Sequence, residues 1–260
     1  MNVSRYPGGH FDRHYVLAPF SQLLASCQSN ALMGLRLVEK IDQFPPPTPE
    51  ELQFLQPSLQ ATPAGLTSIE HSKARFKHWV LTNGFKDIHS CLKVALERLF
   101  VLRAISAELG QNPKLVVPDR EAELITKASE LRFPALIAAV NGFFPKPLDC
   151  TACVLSLNSA RNVLVHTNGI VTERHCNTPG KDKLVVKGWR FKVFFKREDL
   201  EVSAQIGRPG PENAALMLGA EDFEIEFGKG QAIELSLKEF LDILNTCVRV
   251  RAEIDVKLSV

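Results

Sequence analysis

The residues of this chain with the clearest chemical potential lie in the stretch NSARNVLVHTNG, residues 158–169. It places Arg161, Asn162 and His166 inside an otherwise apolar run. Arginine keeps its proton and holds phosphate oxygens bidentately, whereas histidine exchanges a proton near neutral pH. Together these side chains suit the binding of a phosphodiester and the transfer of a ribose 2′-hydroxyl proton, with no metal ion or cofactor.

Projection onto an ideal helix places Arg161 in the middle of an apolar stripe, about 140° around the axis from His166. The stripe comprises Cys150, Val154, Leu157, Leu164 and Val165. A charge there is costly unless it is paired, so a structural ion pair is the alternative explanation for Arg161. For His166 the alternative is interaction with the helix dipole. A two-fold dimer with these helices face to face would bring two copies of each side chain into one cleft.

The segment ARNVLVHTNGIV resembles the signature helix of HEPN domains, small all-α bundles in which an Arg is followed four to six residues later by a His. Arg161-Asn162-x3-His166 fits the short spacing. The resemblance implies a metal-independent endoribonuclease that acts as a homodimer with a composite cleft, often as a toxin or antiviral-defence component. It also implies that Arg161 and His166 are the catalytic pair and that Asn162 orients the histidine or the phosphate.

One departure from the family bears on regulation. HEPN toxins silenced by a partnered nucleotidyltransferase carry a tyrosine two residues past the histidine, and this chain has Asn168 there. Its only tyrosines are Tyr6 and Tyr15, so we do not expect that form of antitoxin control. Because many HEPN domains are inactive scaffolds, a catalytically silent helical binding module in a defence or regulatory complex is the alternative function.

The resemblance also implies a general acid or a polar partner for the site from the long helix that precedes it. Asp87, His89 and Glu97 are the candidates, and the sequence does not choose among them. The resemblance covers about residues 70–170 together with the last helix.

A second RNA-binding candidate is KDKLVVKGWRFKVFFKR, residues 181–197. Bases stack on aromatic rings and phosphates pair with cations, so Trp189, Arg190, Lys192 and Lys196 are candidate RNA-binding residues. The alternative is an amphipathic strand with a solvated basic face, which the alternation favours.

Metal and nucleotide motifs are weak. Cys150-x2-Cys153 and His175-Cys176 suggest zinc, but the two cysteines fit the apolar side of a helix and the His-Cys pair is adjacent rather than spaced. We therefore predict no metal site. The segment FGKGQ lacks the Gly-Lys-Ser/Thr of a phosphate-binding loop.

The elements that must position these residues are mostly helices. Apolar periodicity predicts helices at about 19–43, 70–109, 147–167 and 237–254, with short helices opened by Pro118 and Pro134. Asn83-Gly84 marks a break or kink in the long helix, and Asn168-Gly169 a stop. Period-two alternation predicts a strand in KLVVKGWRFKVFFKRED, residues 183–199, and a second strand pair, FEIEF with QAIEL, joined through Gly228-Lys229-Gly230.

The predicted fold class is therefore mainly α, a HEPN-like helical bundle with a small antiparallel β insertion at about 171–234. Residues 1–66 form an N-terminal helix and a Pro-rich linker, and 67–260 the HEPN-like domain. The net charge of +2 does not by itself indicate nucleic acid. Six sparse cysteines and the lack of a long apolar run predict reduced thiols, no membrane span and a cytoplasmic protein.

Overall fold

The computed structural model describes residues 12–43, 69–111, 116–197, 200–203 and 215–259. It is mainly helical with a small antiparallel sheet, as predicted. The six described α-helices are α1 (Arg13–Glu39), α2 (Ile69–Gln111), α3 (Val117–Glu130), α4 (Phe133–Asn141), α5 (Thr151–His166) and α6 (Leu237–Ser259). The strands, all between α5 and α6, are β1 (Lys183–Arg197), β2 (Leu200–Ser203) and β3 (Ala215–Gly228). Residues 1–11 and the predicted linker at 45–66 lie outside the described residues.

Helix α1 starts six residues before the predicted position and contains Pro19. The side chain of Asp12 caps it by accepting a hydrogen bond from the backbone N–H of His14 at 2.7 Å. Pro19 has no N–H to donate to the carbonyl of Tyr15, four residues earlier. The Arg98 guanidinium of α2 donates to that carbonyl instead, at 3.0 Å, so the proline is accommodated within the helix.

Helix α2 continues through Asn83-Gly84, so the predicted break there is wrong. Gly84 instead lets α6 approach closely, because a Cβ at this position would lie 2.9 Å from the ring of Phe240. At the far end of α2, Arg103 Nη2 donates to the carbonyl of Lys257 at 3.0 Å. These two contacts show that α2 and α6 run parallel.

Helix α5 runs in the opposite direction to α2 and α6. Its first turn meets the last turns of α6, where Glu253 accepts a hydrogen bond from the backbone N–H of Cys150 at 3.0 Å. The predicted stop at Asn168-Gly169 is confirmed, since both residues have positive φ, 51° and 82°. The end of α5 that carries His166 therefore points toward the N-terminal half of α2.

The sheet has the order β2-β1-β3, with β1 antiparallel to both neighbours. The predicted pairing of FEIEF with QAIEL is wrong: residues 223–227 belong to β3 and pair with β1. The chain turns at Gly230, which has φ 85°. It then pairs with the residues that follow α5 in the sequence. There Val171 donates to the Gln231 carbonyl at 2.9 Å, and Ile170 forms an isolated bridge with Ala232.

Polar side chains anchor the other edge of β1 to the helices. Ser156 of α5 accepts a hydrogen bond from the N–H of Lys187 at 2.9 Å, and Thr246 of α6 accepts one from the N–H of Trp189 at 2.9 Å. These bonds satisfy backbone groups that a strand edge would otherwise leave unpaired. They fix the sheet against α5, the helix that carries the candidate site.

A capping box formed by Ser236 and Glu239 opens α6. The N–H of Glu239 donates to Ser236 Oγ at 3.2 Å, and the N–H of Ser236 donates to Glu239 Oε2 at 2.7 Å. No helix of the described part is long and apolar enough to cross a membrane.

Candidate functional site

The buried face of α5 differs from the predicted one. Its buried residues are Cys153, Val154, Ser156, Leu157, Asn158, Ala160, Val163 and Leu164. Arg161 is half-buried and Val165 is 40% exposed, so the arginine lies at the edge of the buried face and not in its middle. Ser156 and Asn158 are buried because β1 and α2 supply their hydrogen-bond partners, which turns the helix relative to its apolar residues.

Arg161, Asn162 and His166 all lie on the partly exposed side of α5, spread over an arc of about 140° around the helix axis. Asn162 is half-buried and His166 is exposed. Arg161 Nη1 donates to Asn162 Oδ1 at 3.3 Å, the one side-chain hydrogen bond of Arg161 among the described residues. In that part of the chain no carboxylate lies within ion-pair distance of Arg161, so the structural ion pair considered for it has no counterpart there.

Of the three candidates on the long helix, His89 is the one with a side-chain hydrogen bond to α5 among the described residues. His89 Nε2 and Asn158 Oδ1 lie 3.1 Å apart, and both side chains are buried. The imidazole also packs against the ring of Phe133, with centroids 4.6 Å apart. Asp87 is exposed, and Glu97 pairs with Lys93 at 3.4 Å.

His89 positions α5 and stays neutral near pH 7. Burial lowers the pKa of His89 to about 4, and the charges of Arg161 and Lys93 act in the same direction, while the hydrogen bond to Asn158 opposes the shift. A neutral imidazole that donates to Asn158 from Nε2 orients the helix, and its low pKa makes it a poor proton-transfer group at neutral pH.

The neutral His89 predicts a pH dependence of folding stability. In the unfolded chain this histidine takes up a proton near pH 6.5, whereas in the folded protein it does so only near pH 4. Its contribution is therefore complete above pH 6.5 and is lost as the pH falls toward 4, by about 3 kcal/mol in total. The free energy of unfolding in urea, measured near neutral pH and near pH 5, should fall less in His89→Gln than in the unsubstituted protein. An equal fall in both would contradict this assignment, and the exposed His14→Gln serves as the control.

A second histidine that we did not predict as a site residue lies close to His166. His175 ends the 3-10 helix Glu173–His175, which packs against α5, and its Nδ1 lies 2.9 Å from the hydroxyl of Thr172. Partial burial lowers the pKa of His175, with smaller contributions from the charges of Arg174 and His166. The sequence signal for the position of His175 was the Asn168-Gly169 turn, which changes the direction of the chain at the end of α5.

The aromatic and basic side chains of the predicted RNA-binding strand are less accessible to a ligand than expected. Trp189 is only 8% exposed and lies under the Arg249 guanidinium, 4.1 Å from the ring centroid. Arg190 pairs with Glu221 at 2.6 Å, and Lys192 lies over the ring of Phe194 at 5.5 Å. A role for Trp189 in base stacking would therefore require Arg249 to move.

Carboxylates on β3 neutralise much of the basic face of β1. Lys183 pairs with Glu226 at 2.7 Å, and Lys187 pairs with Glu224 at 3.1 Å. The sequence signal for this was the acidic run EDFEIE, which we assigned to a different strand pair. Lys196 is exposed, and its RNA-binding role, like that of Lys192, stays a prediction.

The cysteines are free thiols, and five of the six are buried. Burial raises the pKa of Cys150 and Cys153, as expected for thiols packed in a core. Within the described ranges no three His, Cys, Asp or Glu side chains are grouped so as to hold a metal ion.

No family model matches this chain, and no curated protein and no solved structure matches it either.

Proposed function

We propose that this chain is a metal-independent endoribonuclease of HEPN type, with its reaction centre on the partly exposed side of α5. The observation that carries the proposal is that Arg161, Asn162 and His166 are all partly exposed on one side of α5, with Arg161 donating to Asn162. Among the described residues, Arg161 has no carboxylate partner, which leaves its charge for an anionic ligand. A phosphodiester and the 2′-hydroxyl beside it match the three side chains.

The proposed reaction is attack of a ribose 2′-oxygen on the adjacent phosphorus. The new bond joins the 2′-oxygen to phosphorus, and the bond from phosphorus to the 5′-oxygen of the next nucleotide breaks. His166 takes the proton of the 2′-hydroxyl, and Arg161 stabilises the charge that develops on the non-bridging oxygens. Protonation of the leaving 5′-oxygen completes the step and gives a 2′,3′-cyclic phosphate and a 5′-hydroxyl.

The leaving 5′-oxygen needs a proton donor other than the His166 that acts as the base. This chain offers two candidates. A homodimer with facing α5 helices would supply the His166 of a second copy. Half-buried Leu155 and the exposed Val165 and Ile170, each about 40% exposed, support this arrangement with apolar surface at the edge of α5. Within one subunit His175 is the other candidate, because its 3-10 helix packs against α5; its lowered pKa makes it the weaker donor at neutral pH.

The biological setting proposed with this activity is a cytoplasmic toxin or antiviral-defence component, with RNA as substrate and an antitoxin or defence-complex protein as the partner.

An alternative function is a catalytically silent binding module of such a complex. The observation that favours the alternative is exposed apolar surface on the sheet, where Leu216 is 63%, Leu218 66% and Phe191 45% exposed.

The proposal is tested with a single-stranded RNA and a DNA of the same sequence, both incubated with the purified protein in EDTA. We expect the RNA to be cleaved and the DNA to remain intact, because only RNA carries the attacking 2′-hydroxyl. Cleavage of both strands, or a requirement for added divalent metal, would reject the proposed mechanism. Folded protein that cleaves neither strand would favour the binding module.

A further inference from the structure

The first half of α2 carries an exposed surface that combines cations with an aromatic ring. Arg75, His78, Trp79, Thr82, Asn83 and Lys86 line a shallow groove there, about 320 Å³ in volume. Trp79 is 59% exposed, an unusual exposure for a large apolar ring. It stacks on Phe76 with centroids 5.6 Å apart and planes 14° from parallel, so its orientation is fixed.

The charge of this surface favours an anionic partner. Residues 71–86 contain four Lys or Arg and no Asp or Glu. In the part of the chain that the structure describes, neither Arg75 nor Lys86 pairs with a carboxylate. This contrasts with β1, whose Lys183 and Lys187 are neutralised by β3.

The spacing of these residues makes a linear track. Arg75, Trp79, Thr82 and Lys86 recur at helical intervals on one face, and eleven residues at 1.5 Å each separate the two cations by about 16 Å. The indole lies between them. Cations that pair with phosphates and an exposed ring that stacks a base are the two elements of a single-strand binding groove.

The track lies at the same end of the bundle as the candidate reaction centre. Asn158 of α5 meets His89 of α2, and α5 runs antiparallel to α2. The following turns of α5, with Asn162 and His166, therefore run along the half of α2 that carries the track.

We propose that the α2 track of Arg75, Trp79 and Lys86 is the docking groove for single-stranded RNA. The inference rests on the proposed function in naming RNA as the ligand, and it places the RNA on α2 instead of on the basic strand β1. Trp79 stacks a base, while Arg75 and Lys86 hold phosphates on either side. Such a groove feeds the strand toward the partly exposed side of α5.

The test measures RNA binding separately from turnover, by fluorescence anisotropy of a labelled single-stranded RNA in the His166→Ala background. Trp79→Ala should weaken binding about tenfold, the value expected for one lost base stack. Arg75→Glu with Lys86→Glu should weaken it by about tenfold or more. Lys192→Glu with Lys196→Glu makes the same change of charge on β1 and tests the competing RNA site there. A loss of affinity as large as that of the α2 charge variant would reject the inference. Circular dichroism verifies that each variant is folded.

Tryptophan emission provides a second readout, because Trp79 is exposed and the other tryptophan, Trp189, is buried. Bound RNA should quench the emission, and Trp79→Phe should remove the quenching. The inference would be overturned if the protein bound no RNA, or if binding were lost in the β1 variant and kept in the α2 variants. It would also be overturned if Trp79 bound a partner protein and no RNA. RNA binding at α2 without cleavage would instead reject the ribonuclease and leave the docking groove standing.

Discussion

Substitution of His166 by alanine should abolish RNA cleavage while the protein remains folded. Proton transfer by a positioned side chain contributes about 10²- to 10⁴-fold to rate, and His166 is the group to which we assign the 2′-hydroxyl proton. Its side chain is exposed at the end of α5, so its removal should leave the free energy of unfolding within about 0.5 kcal/mol of the original. The two measurements are the cleavage rate in EDTA and urea unfolding.

His14→Ala is the matched control for this variant. His14 is also exposed and helical, but it lies in the first turn of α1, which meets the far end of α6 through the Arg13–Asp255 pair at 3.5 Å. Cleavage should be unchanged in His14→Ala. Equal cleavage by His166→Ala and the unsubstituted protein would exclude His166 from the reaction and point to a different site or a contaminating nuclease.

The largest loss of stability from a small change is expected for Gly188→Ala in β1. Gly188 lies opposite Phe223 of β3, and an added Cβ would be 2.5 Å from two atoms of that ring and in steric conflict with Thr246 Oγ1. The Thr246 hydroxyl cannot move away without losing its hydrogen bonds to the backbone of Trp189. Overpacking of this kind costs about 1–3 kcal/mol, and the lost hydrogen bonds add about 1 kcal/mol.

Gly110→Ala is the same chemical change where there is room for it. Gly110 is near the end of α2, and an added Cβ there has no neighbour within 4 Å. This variant should be neutral or more stable by up to about 1 kcal/mol, because glycine disfavours a helix. Urea unfolding of both variants decides the matter. If Gly188→Ala were as stable as Gly110→Ala, the anchoring of β1 between Thr246 and Phe223 would be wrong.

Local signals in the sequence located several helix ends correctly. Asn168-Gly169 ends α5 because the last turn needs residues that tolerate positive φ, and such residues are recognisable in the sequence. The capping box of Ser236 and Glu239 is likewise local, since both of its hydrogen bonds form within four residues. Features set by neighbours along the chain were therefore predictable.

The errors arose where a distant residue determines the outcome. Pro19 lies inside α1 because Arg98, far along the chain, supplies the hydrogen bond that its neighbour Tyr15 lacks. The strand FEIEF pairs with β1 and not with QAIEL, because alternation indicates the faces of a strand but not its partner.

The position of Arg161 shows the same limit within the candidate site. Projection of apolar residues alone placed it at the centre of the buried face, whereas polar Ser156 and Asn158 are also buried. Their partners, Lys187 in β1 and His89 in α2, are far from α5 in sequence. The candidate site residues were proposed from their types and spacing, but their exposure depends on these tertiary contacts.

The measurement that tests the ribonuclease proposal most directly is the chemistry of the ends left by cleavage in EDTA. Attack by the 2′-hydroxyl must leave a 2′,3′-cyclic phosphate on one fragment and a 5′-hydroxyl on the other. We predict these ends from the unsubstituted protein and their loss in His166→Ala. Fragments with 3′-hydroxyl and 5′-phosphate ends would show that water attacks the phosphorus, which would contradict the role assigned to the partly exposed side of α5.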